Sequence, residues 1–316
     1  MKCAYWPYGE SFFHKPTGRC SDGLIMIDYF ATYLKLPLID AYLNKDGNFT
    51  QGVNFAVGGA TALNTSVLKL KYNLTAITNL SLSVQLDWFK SHLYSYYVDD
   101  KSDWRDKISK RLFIMGSIGS NDYNIAFLQG KTLPDLYEMV PHVVQAIQLV
   151  VEEIIRLGAT QIAIPGNIPV GCIPMYLSLF KKNDSNIYDE LKCLKQHNTH
   201  AQFHNHQLQK NVVNLQKRYP NVSIVYLDYY EAFREIFQHA NLFGFDETAT
   251  REACCGTSDD EYKVNADVFC GNKGVPVCEN PDEHISWDGT HLTQHTYHAL
   301  VKHLMPSLNR GIKNVK

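Results

Sequence analysis

The stretch ISWDGTHLTQ, residues 285–294, sets an aspartate and a histidine three positions apart, Asp288 and His291. A histidine oriented by a neighbouring carboxylate can act as a hydrolytic base. It takes the proton of a nucleophile and later returns it to a leaving group. Such a pair is useful only alongside a nucleophile and donors for the developing negative charge. Two other stretches offer donors. GVNFAVGGAT, residues 52–61, ends an apolar run in Gly58 and Gly59, and RLFIMGSIGSNDY, residues 111–123, ends another in a loop with Asn121 and Asp122. Singly these are ordinary features: Gly-Gly after a strand is most often a turn, an Asn-Asp loop most often a cap, and D-x-x-H is common by chance. Their order, each after an apolar run, gives them weight together.

The elements that must position these residues alternate between strand and helix patterns. Strands are expected at 52–57, 112–116, 161–165 and 222–228. Helices are expected at 83–97, 133–159, 196–218 and 290–305, with a short one ending near 239. Gly158 lies near the stop of the second helix, and Thr290 or Thr293 caps the last. Helical crossovers of this length imply a parallel sheet covered by helices, with the site at the carboxyl ends of the strands. The aromatic stretch LDWFKSHLYSYY, 86–97, reads as core. His197, His200, His204 and His206 read as part of one polar helix, and histidines other than His291 as surface or cap residues.

The 316 residues are 45% apolar and 20% charged, the balance of a globular protein, and suffice for a large core. A formal charge of −2 with no long basic run gives no general attraction to nucleic acid or anionic membrane, and no apolar run is long enough to span a bilayer. Eight cysteines and six N-x-[ST] sequons, at Asn48, Asn64, Asn73, Asn79, Asn183 and Asn221, together favour the secretory pathway. Cys3 with Cys20, Cys172 with Cys193, and two pairs among Cys254, Cys255, Cys270 and Cys278 could bridge, but eight cysteines leave the connectivity open, and free buried thiols are the alternative in a reducing compartment. No CxxC pair supports zinc, and no motif for a metal or organic cofactor occurs. MKCAYWPYGE has no apolar leader, so a leader upstream of Met1 is expected.

PYGESFFHKPTGRCSDG (7–23), GVNFAVGGATAL, GSIGSNDYN, IPGNIPVGCIP and SWDGTHLT resemble, in order and approximate spacing, the recurrent segments of the plant branch of the GDSL esterase/lipase family, the SGNH hydrolases. The resemblance covers nearly the whole chain. It implies a three-layer α/β/α, flavodoxin-like parallel sheet in a single domain over residues 1–316, and a monomer acting on a small-molecule or lipid ester without a cofactor. It also implies roles: His291 is the base, Asp288 its orienter, and Asn121 and Gly59 the oxyanion donors, with Gly58 the alternative to Gly59 by register. Asp122 holds the loop that aims Asn121.

The family's first block, a Gly-Asp-Ser-Leu-like motif carrying the nucleophile, has no match here, and neither G-D-S nor G-x-S-x-G occurs. Ser11, Ser21, Ser117 and Ser120 read as loop or cap serines. The expectation is therefore an N-terminally truncated product that lacks the first central strand and is weakly active or inactive. An acyltransferase using the same residues and a non-catalytic secreted binding protein are the alternative readings.

Overall fold

The computed structural model describes residues 2–97, 104–265 and 267–312. The chain divides into two compact units, each made of three separate stretches.

The sheet unit comprises Ile39–Asn167, Gln202–Asp228 and Pro306–Lys316. Its centre is a parallel sheet in the order β1 (Leu112–Ile114), β2 (Gln161–Pro165), β3 (Ser223–Leu227). Phe113 lies opposite Ile162, and Ile162 opposite Ile224. β2 is buried along its whole length, as a central strand covered on both faces should be. β1 is only half-buried, and among the described residues it pairs through β2 alone. The α/β class and parallel sheet inferred from the sequence are therefore present, with three of the four expected strands.

The fourth, 52–57, is not a strand. It makes one isolated bridge, Ala41 to Asn54, closed by Tyr42 N–H to Asn54 O at 2.8 Å and Asn54 N–H to Asp40 O at 2.9 Å. A strand exists only through its ladder, and beyond this bridge the run has no paired neighbour among the described residues.

Helices cover the sheet. α1 (Thr65–Tyr72) begins at Asn64, whose Oδ1 accepts the Val67 N–H at 3.0 Å. α2 (Ser120–Leu128) starts directly after the loop that follows β1. α3 (Leu133–Arg156) opens with a capping box, in which Thr132 and Asp135 bond reciprocally, and stops just before Gly158. Its buried residues Leu136, Met139, Val140, Val143, Ile147, Val151 and Ile154 form one apolar stripe of helical period. They join Ile162, Ile164 and Ile224 of the sheet in one core, with Phe89 and Leu93 from the aromatic stretch read as core.

The disulfide unit comprises Met1–Leu38, Ile168–Ala201 and Tyr229–Met305. It has helices but, among its described residues, no named strand. It holds all four disulfides: Cys3–Cys20, Cys172–Cys193, Cys254–Cys278 and Cys255–Cys270. The pairings Cys3–Cys20 and Cys172–Cys193, which the sequence allowed, are among them, and the connectivity that the sequence left open is given by all four. Cys3, Cys254, Cys255 and Cys270 cluster with Tyr8 and the fully buried Trp287. The closing helix α4 (Gln294–Gly311) is capped by Thr293, whose Oγ1 accepts the Thr296 N–H at 3.3 Å. Thr290 instead belongs to the loop before it.

The histidine cluster differs from its sequence reading. His197, His200 and His204 are buried; only His206 is not. Their three-and-four spacing puts them on one helical face, and that face points inward. His197 packs against Tyr176 and Phe180, and burial lowers its pKa to about 4. In the sheet unit, His204 Nδ1 meets the Tyr123 hydroxyl at 2.8 Å.

No helix is long and apolar enough to cross a membrane among the described residues.

Candidate active site

Asp288 and His291 lie on a short loop before α4. The loop is closed on itself: Trp287 N–H donates to His291 O at 2.8 Å, and Gly289 N–H to Ser286 Oγ at 3.0 Å. Gly289 makes the reversal at φ +85°, and a Cβ there would come within 2.5 Å of Val264. Cys254 and Cys255 fasten the loop from outside, donating their N–H groups to Ser286 O and Trp287 O at 3.1 and 2.6 Å. Two disulfides thus anchor the residues directly before Asp288.

The Asp288 carboxylate accepts four hydrogen bonds. Oδ1 takes the N–H groups of Thr290 at 2.9 Å and His291 at 2.7 Å. Oδ2 takes His291 Nδ1 at 2.7 Å and the Tyr8 hydroxyl at 2.7 Å. Burial by itself would raise this carboxyl, but the opposing His291 charge and these hydrogen bonds hold it down at about 2. Burial also works against a charged His291, and the Asp288 charge and hydrogen bond outweigh it, so the imidazole titrates above its ordinary 6.5. With Nδ1 donating to the carboxylate, Nε2 carries the lone pair of the neutral ring. The His291 side chain keeps 39% of its exposure against 8% for Asp288, so a reactant can reach it.

The donor residues lie in the sheet unit. Val57 to Ala60 form a tight turn, closed by Ala60 N–H to Val57 O at 3.1 Å, with Gly59 at φ +79°. Among the described residues neither Gly58 nor Gly59 donates its N–H within the chain. Asn121, in the first turn of α2, donates Nδ2 to Ala60 O at 3.0 Å. A carbonyl only accepts, so the amide nitrogen must face it, and the second Nδ2 hydrogen remains to be offered. Asp122 is buried and accepts Ala62 N–H at 2.8 Å and Leu63 N–H at 3.0 Å. Burial lifts its carboxyl to about 7, against the pull of those bonds. Asn121 and Asp122 therefore grip both sides of the segment that continues from Gly59.

The geometry thus brings the sequence-assigned residues together in two sets: Asp288 with His291, and Asn121 with the Gly59 turn. Of the candidate serines, Ser21 and Ser120 have hydroxyls bonded elsewhere, and the Ser11 side chain bonds to Asp22. Ser11 N–H donates to Asp22 O at 2.8 Å, Ser21 Oγ to Asp22 Oδ1 at 3.1 Å, and Ser120 Oγ to Asn167 Oδ1 at 2.6 Å. Ser286 Oγ donates to the His291 backbone carbonyl at 3.3 Å, but among the described residues no serine hydroxyl bonds to the His291 imidazole. Cys254, Cys278 and His284 converge within 4.8 Å, but the two cysteines are joined as a disulfide and offer no thiolate. Tyr8 has no assignment in the sequence reading. Its only signal there is membership of the recurrent PYGESFF segment.

The family model for GDSL-like Lipase/Acylhydrolase matches residues 5–304. Acetylajmalan esterase 1 of Rauvolfia serpentina is 39% identical over 310 residues, covering 98% of this chain and 80% of the relative. A GDSL esterase/lipase of Arabidopsis thaliana is 41% identical over 304 residues, covering 96% and 75%. A second from the same plant is 42% identical over 296 residues, covering 93% and 74%.

Proposed function

The chain belongs to the GDSL-like lipase/acylhydrolase family, hydrolases acting on ester bonds, and from that premise we propose a serine carboxylesterase with His291 as its base. The observation that carries the reading is the 2.7 Å contact of His291 Nδ1 with an Asp288 carboxylate whose other lone pairs are occupied. Fixed this way, Nε2 accepts the proton of a serine hydroxyl as its oxygen bonds to the ester carbonyl carbon. The carbonyl oxygen becomes an oxyanion, stabilised by the Asn121 Nδ2 and Gly59 N–H donors. When the intermediate collapses, the C–O bond to the alcohol breaks and His291 returns the proton to the alkoxide. Water then repeats the sequence on the acyl-serine, releasing the acid and restoring the hydroxyl.

The 316 residues contain these supporting groups but no serine in the family's nucleophile motif. By themselves they therefore turn over esters slowly or not at all, and full activity requires a form that carries that serine. The substrate is a carboxylic ester of a lipid or secondary metabolite. Relatives named acetylajmalan esterases make a short-acyl ester the reasonable first assay. The protein passes through the secretory pathway, a reading supported by four disulfides and by the exposure of all six sequon asparagines.

The test is hydrolysis of a p-nitrophenyl acetate-type ester by the native protein and its His291→Ala variant, with N-terminal peptide mapping of the same preparation. Loss of turnover in the variant supports the assignment; hydrolysis at the parental rate overturns it.

A further inference from the structure

We infer that Tyr8 is a positioning residue for the Asp288–His291 pair, its hydroxyl fixing the carboxylate oxygen that His291 also uses. The inference rests on the ester-hydrolase reading for its consequence, though not for its geometry. Tyr8 lies 280 positions before Asp288, yet its hydroxyl is 2.7 Å from Oδ2, the same distance as His291 Nδ1. A carboxylate only accepts, so Tyr8 must donate.

The tyrosine is built in. It is 3% exposed, stands edge-on to Trp287 at 6.2 Å, and sits inside the loop closed by Cys3–Cys20. Trp287 adjoins Asp288 in the chain, so ring and carboxylate are seated on one support. A buried carboxylate without the hydroxyl would have a single donor left on Oδ2 and could rotate about its χ2, carrying the imidazole with it.

The hydroxyl also has an electronic effect. Two donors share one oxygen, and each draws charge from it. Removing Tyr8's proton donor leaves more negative charge facing Nδ1 and strengthens the imidazolium. A tyrosine whose ring merely filled space would leave the His291 midpoint unmoved in Tyr8→Phe, because phenylalanine keeps the ring. A rise in the midpoint therefore separates the two roles. Asp288 in turn helps raise the hydroxyl of Tyr297, whose oxygen accepts the Leu292 N–H at 3.4 Å.

The experiment is an NMR titration of ¹⁵N-histidine-labelled residues 1–316, with His291 assigned by its loss in His291→Ala. Tyr8→Phe should move the His291 midpoint upward; an unchanged or lower midpoint overturns the inference. Site-specific 3,5-difluorotyrosine at position 8 keeps the shape and strengthens the donor, so it should move the midpoint downward; no movement overturns the inference even if Tyr8→Phe fails to fold. In an Asp288→Asn background Tyr8→Phe should leave the midpoint where Asp288→Asn alone puts it, and a shift there counts against the inference. No turnover enters these readouts. A failed hydrolase reading would show in the His291→Ala assay, and a failed role for Tyr8 only here.

Discussion

Asn121 holds the carbonyl of Ala60 at 3.0 Å across sixty-one positions of sequence, and so faces the turn that presents the Gly59 N–H. In a form that carries the serine, Asn121→Ala should lower kcat about 10²–10³-fold, the usual cost of one oxyanion donor. The lost bond to Ala60 should cost only about 1 kcal/mol of stability. Steady-state kinetics and a thermal melt on one preparation check both. A change confined to KM would remove Asn121 from the oxyanion site.

Asp122 should matter chiefly for the fold. Two buried N–H groups, Ala62 and Leu63, point at its two oxygens. Asn in that place turns an NH2 towards one of them, leaving a donor facing a donor. Asp122→Asn should therefore cost about 1–3 kcal/mol, visible as a lower melting temperature. Amide exchange at Ala62 and Leu63 should accelerate most. Unchanged protection there would mean the clamp carries no weight.

The pH dependence follows from the shifts at the pair. His291 must be neutral to accept a proton, and its titration lies above 6.5, so kcat should rise with pH and reach half its plateau above that value. For stability the signs are opposite at the two ends. Asp288 is lowered to about 2, so its contribution is present above about 4 and is lost as pH falls towards 2. His291 is raised, so its contribution is full below 6.5 and is lost as pH climbs through the raised value. Denaturant midpoints between pH 2 and 9 should therefore show a maximum that Asp288→Asn flattens.

The glycan and the helix cap at Asn64 can be separated. Its Oδ1 accepts from Val67 N–H at 3.0 Å and Ser66 Oγ at 2.6 Å, while glycosylation uses Nδ2. Asn64→Asp and Ser66→Ala should both remove one glycan from the intact mass. Asn64→Gln should remove it too, and should alone cost about 1 kcal/mol through the cap. A mass unchanged in all three would show the site unoccupied.

The parts legible in the sequence were the local ones. Asp288 and His291 lie three apart on one loop, so their contact follows from chain geometry. α3 announced itself through its apolar stripe and the Thr132–Asp135 cap. What could not be read depends on distant partners. Residues 52–57 have the composition of a strand, but a strand also needs a neighbour to complete its ladder. His197, His200 and His204 have polar neighbours in sequence, and only tertiary packing turns their face inward. The Tyr8 contact with Asp288 joins opposite ends of the chain, and no spacing rule reaches that far.

The four disulfides are distributed unevenly: all lie in the unit that carries Tyr8, Asp288 and His291, and none in the unit built on the sheet. Each closes a loop worth about 3 kcal/mol of chain entropy, and two pin the strand-like contacts behind the aspartate. Expression in a compartment that keeps thiols reduced would thus remove the fastening of the Asp288–His291 loop. A thiol count then measures how much of a preparation holds that loop in place.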